Sequence, residues 1–288
     1  NNIEINEFYK SNRTFSRLCA MAEVISDFEC DNEEFISRRI PNLLSMDSPK
    51  LLKFAIEYIN NPNIEMNKEN IILRNMLYYT FYVGTPEKNG FTSIQEGIMK
   101  LVENSNFKTE ILEILNILFE KINCVPLKNS YYFECPLEVY STYTLSQIMA
   151  GYEYFNEEER PAFREGVKYF NDKDLDIFFI TLNKSDKEFS ESTLYEDYAI
   201  SENLFHWQSQ NRDTEESKNI QRYINSNGRV SLFVREYRKN VDGKECPYIY
   251  LGECNHVSHE GNKPVSFVWK LKNPIPGKFI SEANKNVL

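Results

Sequence analysis

The side chains best suited to chemistry cluster in the stretch "HWQSQN", which directly follows Phe205. The chain has only three histidines and two tryptophans, yet His206 and Trp207 are adjacent. In an extended segment Trp207 would share a face with Phe205, while His206 would share the other face with Gln208 and Gln210. A wide aromatic ring can stack on an unpaired or flipped base while amides hydrogen-bond to the base edge. The stretch therefore predicts a site that binds nucleic acid.

A structural interpretation of the same stretch stays open. Large aromatic side chains usually lie in a hydrophobic core, and amides often cap neighbouring turns. If Trp207 stacks on a base, Trp207→Ala should weaken binding by ~1–3 kcal/mol and leave the fold intact. If Trp207 is a core residue, the same substitution should lower thermal stability instead.

Basic side chains follow this stretch and could contact phosphates. We predict that Arg222, Arg235 and Arg238 do so; ordinary solvated surface is the alternative for each of them. Further basic residues lie near them in the sequence: Arg229, Lys239 and Lys244.

Four residues near the C-terminus are of the types that bind zinc, namely Cys246, Cys254, His256 and His259. Their spacing differs from that of closed zinc sites, in which each pair of ligands stands two to five residues apart. We therefore predict no metal site. For His259 the sequence predicts a position facing DNA or defining a turn, with a structural histidine as the alternative.

Carboxylates that could hold Mg²⁺ for phosphodiester cleavage are present, but they form no specific nuclease signature. The available residues are Asp174, Asp176, Glu196, Asp197 and Glu236. We therefore predict no catalytic residue in this chain, and a Mg²⁺-dependent nuclease remains the enzymatic alternative.

Composition indicates a globular chain long enough to bury a sizeable core, with 288 residues of which 41% are hydrophobic. The net charge of −10 lies entirely in the first 159 residues, and from residue 205 onward the local balance is +4. No apolar run approaches the ~18 residues of a membrane span. The six cysteines are scattered, which favours reduced thiols. The first residues lack an initiator Met and a signal sequence, so we expect a cytoplasmic fragment or processed product without a membrane partner.

Helical periodicity dominates the first half, as in "SPKLLKFAIEYI" and "KTEILEILNILFEKI". Strand-like segments separated by turn residues dominate the second half, as in "RVSLFVREYRK", "PYIYLGE" and "PVSFVWKLK". The sequence predicts an α+β fold: an N-terminal helical bundle over 1–143 that docks a partner, then a mainly antiparallel β domain over 144–288, a small sheet or barrel, that binds DNA.

Several blocks of the second half resemble a known family. They are "ITLNKSDKEFSESTLYEDYAISENLFHWQSQN", "SLFVREYRK" and "PYIYLGECNHVSHEGNKPVSFVWKLKNPIP". Together they resemble the domain of unknown function at the C-terminus of bacterial superfamily II (DEAD/DEAH-box, type III restriction-like) helicases. A weaker likeness extends into the helical half through "YTLSQIMAGYEYFNEEERPAFREGVKYF" and "FYKSNRTFSRLCA".

The resemblance implies a parent protein in which a helicase core, often preceded by a phospholipase-D-type nuclease domain, acts in restriction and phage defence. The phosphate-binding loop GxxxxGK[ST] is absent from this sequence, so ATP and Mg²⁺ are expected only for the helicase core. Three hypotheses result: an accessory region that binds DNA, with a modified, flipped or single-stranded base as its target; a Mg²⁺-dependent nuclease; or a docking module for the helicase core and nuclease domain.

Overall fold

The computed structural model describes residues 5–9, 13–25, 33–123, 125–164, 166–183, 197–225, 229–241, 243–277 and 280. The chain divides into two compact units. Unit 1 contains residues 1–126 and 134–162, and unit 2 contains 127–133 and 163–288. The boundary predicted after residue 143 lies inside unit 1. No helix among the described residues is long and apolar enough to cross a membrane.

Unit 1 is a helical bundle, as the sequence predicts. Its helices are α1 (Ile5–Phe8), α2 (Phe15–Met21), α3 (Glu33–Arg39), α4 (Pro49–Asn60), α5 (Lys68–Phe81), α6 (Ile94–Leu101), α7 (Ser105–Glu120) and α8 (Leu145–Gly151), with 3-10 helices Ile40–Ser45 and Glu87–Asn89. The expected cap of α4 is present, because the Ser48 hydroxyl accepts the Leu51 amide and Pro49 occupies the first turn. α8 packs against α5.

Buried tyrosines form part of the core of unit 1. The rings of Tyr78 and Tyr82 are stacked with centroids 4.7 Å apart, and Tyr79 packs edge-on against Tyr78. Burial raises the pKa of the Tyr78 hydroxyl to about 12. Because ionised phenols are disfavoured in an apolar interior, this cluster makes the stability of unit 1 sensitive to alkaline pH.

Unit 2 is built on one sheet. Its strands are β4 (Val167–Phe170), β5 (Leu175–Thr181), β6 (Tyr198–Ala199), β7 (Leu204–Gln208), β8 (Val230–Arg235), β9 (Tyr248–Glu260) and β10 (Ser266–Leu271), and its helix is α9 (Lys218–Asn225). The remaining short strands of the chain are β1 (Leu127–Lys128), β2 (Glu138–Val139) and β3 (Thr142–Tyr143).

The sheet order in unit 2 is β4-β5-β8-β9-β10-β7-β6. β5 and β8 are parallel, and every other neighbouring pair in this order is antiparallel. The predicted mainly antiparallel sheet and α+β class are therefore confirmed. The alternative of a small barrel is wrong, because in the described part of the chain β4 and β6 end the order and are not paired with each other.

The two faces of this sheet differ. One face, the buried face, carries a cluster of large apolar side chains from β5, β7, β8, β9 and β10, against which Ile220 and Tyr223 of α9 pack. The opposite face is the outer face. Over β8 and β9 it contacts the segment 127–133, since Tyr131 is hydrogen-bonded through its hydroxyl to both Ser231 and Tyr250.

Candidate nucleic-acid interface

The alternation expected around residue 206 is present in β7. Phe205 and Trp207 are buried, whereas Leu204, His206 and Gln208 are half-buried. A strand directs successive side chains to opposite faces. Trp207 therefore lies on the buried face, and His206 and Gln208 lie on the outer face.

Trp207 is a core residue. Only 7% of its surface is exposed, and its ring stacks on Phe178 at a centroid distance of 4.2 Å. Tyr223 packs edge-on against it, and Phe267 lies beside it with centroids 5.7 Å apart. The structure therefore favours the core interpretation over base stacking for this residue, because packing already uses its ring.

His206 lies beside another aromatic residue on the outer face. Its ring is stacked on that of Tyr198, with centroids 4.6 Å apart and an interplanar angle of 18°. The two residues are register partners in the antiparallel pair β6–β7. Both rings are half-buried, and Tyr198 also packs against the edge of the buried core cluster.

Polar groups lie on both sides of this aromatic pair. Gln208 pairs with Ser266 of β10, and its side-chain amide donates to the Ser266 hydroxyl at 3.3 Å. On the other side of His206, Lys270 of β10 is exposed and pairs in register with Leu204. We call Tyr198, His206, Gln208, Ser266 and Lys270 the polar sheet face.

Acidic residues border the polar sheet face. The Asp197 carboxylate accepts the backbone N–H of Gln208 at 3.1 Å. The exposed residue Glu260 is the register partner of Ser266 on β9. These carboxylates offset the charge of Lys270, so polyanion attraction at this face is weak and contacts to bases would have to supply most of the affinity.

Gln210 lies just beyond the end of β7. Its backbone carbonyl accepts the N–H of Asp213 at 2.9 Å and the hydroxyl of Ser209 at 3.3 Å. The residue is half-buried in the turn that follows the strand. It therefore adjoins the polar sheet face without belonging to its strand rows.

Arg222 has a structural partner that the sequence analysis missed. Its guanidinium donates two hydrogen bonds to the Asp176 carboxylate, at 2.7 and 2.8 Å, and lies over the Tyr169 ring at 3.8 Å. Asp176 is almost fully buried. Burial raises the pKa of this carboxyl, although Arg222 opposes the shift. The guanidinium of Arg222 therefore neutralises a buried carboxylate, and its phosphate contact stays a prediction.

Arg235 is also engaged locally. Its Nε donates to the Thr181 hydroxyl at 3.0 Å, its Nη1 donates to the Cys246 carbonyl at 3.2 Å, and its guanidinium lies over the Tyr248 ring. β8 is three positions from β7 in the sheet, which corresponds to about 14 Å. Arg235 therefore stabilises the start of the β8–β9 connection and does not belong to the polar sheet face.

Arg238 lies in the connection between β8 and β9, with its Nε 4.0 Å from a carboxylate oxygen of Glu245. Both side chains are well exposed, so this pair contributes little to stability. Arg238 remains accessible to a phosphate, but it belongs to the β8–β9 connection rather than to the polar sheet face.

His259 lies on the buried face, opposite to His206. Its register partner is Phe267, and its ring stacks on that side chain with centroids 5.7 Å apart. The Nδ1 of His259 is 3.0 Å from the Nε2 of His256. Burial and the neighbouring His259 lower the pKa of His256. His259 and His206 therefore cannot contact one ligand group from the same side of the sheet.

Among the described residues, the cysteines considered for zinc and the carboxylates considered for Mg²⁺ do not converge on one point. The buried thiol of Cys254 donates to the Val230 carbonyl, and Cys246 is half-buried in the β8–β9 connection. Asp176 is paired with Arg222, while Glu196 lies outside the described residues. Within the described ranges, no group of three or more His, Cys, Asp or Glu side chains could hold a metal ion.

Three members of the polar sheet face were missed by the sequence analysis: Tyr198, Ser266 and Lys270. Each is close to His206 or Gln208 only through strand pairing, with β10 lying about 60 residues further along the chain. The alternation in "PVSFVWKLK" indicates that Ser266, Val268 and Lys270 share a face, but the register with β7 is not readable from it.

Comparison with known proteins assigns a family to the second half of the chain. A family model described as "Domain of unknown function (DUF3427)" matches residues 137–282. The match contains all of β4 to β10 and therefore the whole polar sheet face. No curated protein is similar to this sequence.

Proposed function

The chain belongs to the DUF3427 family, a domain of unknown function, and we propose that its polar sheet face binds DNA through exposed bases. The observation that carries the proposal is the stacked pair Tyr198–His206 on the outer face, flanked by the amide of Gln208 and the ammonium group of Lys270. Aromatic rings on a sheet are a common platform for stacking unpaired bases.

The chemistry of the face favours single-stranded or flipped bases over duplex backbone. Stacking on an aromatic side chain is worth ~1–3 kcal/mol per base and needs the face of the base to be accessible. Gln208 supplies both a donor and an acceptor for a base edge. Lys270 supplies one positive charge, so about one phosphate contact is expected there.

The wider context of this proposal comes from the resemblance to C-terminal regions of bacterial superfamily II helicases. In that setting the chain is an accessory region of a restriction or phage-defence protein and performs no catalysis itself. DNA and the helicase core, with a nuclease domain in some parents, are its partners. ATP and Mg²⁺ bind to the helicase core, and unit 1 is the part of this chain that docks against that core.

A fluorescence anisotropy experiment tests the proposal. Labelled single-stranded, duplex and forked DNA are titrated with the protein over a salt series, with and without Mg²⁺, and each mixture is checked on a gel for cleavage. Binding to single-stranded or forked DNA, stronger than to duplex and with a shallow salt dependence, is expected.

Other outcomes separate the competing functions. Cleavage that depends on Mg²⁺ would contradict the absence of catalysis and favour the nuclease. Failure to bind any of the three DNA forms would contradict the DNA-binding proposal and leave a docking module. A mixture with the isolated helicase core of a parent protein would then test docking directly.

A further inference from the structure

A β-bulge brings two histidines onto one face of β9. Residues three apart on a regular strand point to opposite faces. Here Val268 pairs with Ser258 and Trp269 pairs with His256, so Val257 is an extra residue between the two pairs. As a result His256 and His259 both lie on the buried face, where their rings contact the Phe267 ring. Bulges often redirect side chains at functional positions.

The two imidazoles approach each other through nitrogen atoms. His256 Nε2 and His259 Nδ1 are 3.0 Å apart, and the His259 side chain remains 24% exposed. The other nitrogen of His259, Nε2, is 3.5 Å from a carboxylate oxygen of Glu215. A carboxylate near Nε2 favours the tautomer that carries its proton there, so that Nδ1 accepts a hydrogen bond from His256 Nε2 when no metal is bound.

We propose that His256 Nε2 and His259 Nδ1 bind a divalent transition metal ion, Cu²⁺ or Ni²⁺, with Glu215 as a positioning residue. The arrangement of a carboxylate, a histidine and a metal is the usual one for histidine ligands. This site uses neither Cys246 nor Cys254 and is independent of the proposed DNA binding.

The distance between the nitrogens selects the metal. Two nitrogens 3.0 Å apart, each about 2.1 Å from one ion, subtend an angle of about 90°. That angle suits neighbouring positions of a square or octahedral ion, whereas tetrahedral Zn²⁺ needs a separation of about 3.4 Å at the same bond length. Cu²⁺ also binds nitrogen ligands more tightly than the other divalent ions of its row.

Among the described residues, no third ligand of the usual types lies beside these two histidines. Ligands from outside this pair would therefore fill the remaining coordination positions of the metal ion. Metal binding requires a lone pair on both nitrogens. The His256 ring meets this condition by carrying its proton on Nδ1 instead of Nε2, so the ring stays neutral and no proton is lost from it.

Copper titration of the protein, without a histidine tag and without DNA, tests the site. Electron paramagnetic resonance should show one equivalent of Cu²⁺ with two nitrogen ligands, and isothermal titration calorimetry should give the affinity. His256→Gln and His259→Gln should each abolish the two-nitrogen signal. The third histidine of the chain, His206, lies on the opposite face, and His206→Gln is the matched control that should keep the signal.

Glu215→Gln tests the positioning role. The variant should retain the two-nitrogen spectrum while its affinity for Cu²⁺ falls by about 10- to 100-fold, because the tautomer of His259 is no longer fixed. An unchanged affinity would remove Glu215 from the site.

A measurement on the unaltered protein covers the case in which a histidine variant does not fold. Nuclear magnetic resonance of the imidazole nitrogens should show His256 and His259 broadened together by substoichiometric Cu²⁺ or Ni²⁺, with His206 unaffected. Broadening of only one of the pair, broadening of His206 alone, or a Cu²⁺ signal that survives both single variants would overturn the proposal.

Discussion

Trp207 stacks on Phe178 with ring centroids 4.2 Å apart, inside the core of the sheet that forms unit 2. Its neighbour His206 stacks instead on Tyr198, on the opposite face of the same strand. The two faces of one strand therefore carry a buried aromatic residue, Trp207, and a half-buried one, His206. This separation makes the roles of the two residues distinguishable by experiment.

Replacing Trp207 should destabilise the protein. Trp207→Ala removes a buried ring from contact with Phe178, Tyr223 and Phe267, so the free energy of unfolding should fall by ~3–5 kcal/mol. Urea unfolding followed by circular dichroism measures the change. His206→Ala, a half-buried control on the same strand, should cost much less. Equal effects of the two substitutions would contradict the assignment of Trp207 to the core.

Breaking the pair Arg222–Asp176 should also destabilise unit 2. Arg222→Ala leaves the buried Asp176 carboxylate without its partner, at a cost of ~3–5 kcal/mol in unfolding free energy. Arg238→Ala removes an exposed arginine of the same unit and should change stability by less than about 1 kcal/mol. Urea midpoints of the two variants compare them, and a small effect of Arg222→Ala would show that the pair is dispensable.

The salt dependence of DNA binding should identify the phosphate contact. Lys270→Ala should reduce the slope of log affinity against log salt by about one unit, since one phosphate contact is lost. Arg235→Gln, which removes a positive charge from β8, three positions from β7 in the sheet, should leave the slope unchanged. An unaltered slope in Lys270→Ala would remove Lys270 from the interface.

Alkaline pH should destabilise unit 1. Burial raises the pKa of Tyr78 to about 12 in the folded protein, whereas an unfolded tyrosine ionises near ~10. The folded state thus holds its proton longer, so its stability is complete below pH ~10 and is lost as the pH rises toward 12. Tyr78→Phe removes one ionising group and should move the unfolding midpoint to higher pH.

Circular dichroism between pH 8 and 12, with tyrosinate absorbance recorded in parallel, measures this transition. Tyr132→Phe alters a well-exposed tyrosine and serves as the control. If both variants unfold at the same pH as the unaltered protein, ionisation of Tyr78 does not limit its alkaline stability.

Local patterns in the sequence predicted the class of fold. Helical periodicity and capping residues such as Ser48 indicated the bundle, and alternating segments separated by turns indicated the sheet. The side chains of β7 also alternate as expected. Periodicity indicates which residues share a face, but it does not indicate which of the two faces is buried against other elements. The predicted role of Trp207 depended on which face is buried.

Contacts between residues that are distant in the sequence were not predictable. Asp176 stands 46 residues before Arg222, so nothing local marked this arginine as a partner in a buried ion pair. Tyr198 belongs to a two-residue strand, which is too short to show a period. The spacing of His256 and His259 alone would place them on opposite faces of a strand. They share a face because of a bulge, which the sequence does not reveal.

The central claim is that DNA bases stack on the pair Tyr198–His206. Its most direct test is anisotropy with a labelled single-stranded oligonucleotide and the double variant Tyr198→Ala/His206→Ala, compared with Tyr237→Ala, which alters an exposed tyrosine elsewhere in unit 2. Circular dichroism confirms that both variants are folded. We predict that the double variant loses ~1–3 kcal/mol of binding free energy per stacked base while Tyr237→Ala binds normally. Equal binding by the folded double variant and the unaltered protein would contradict the claim.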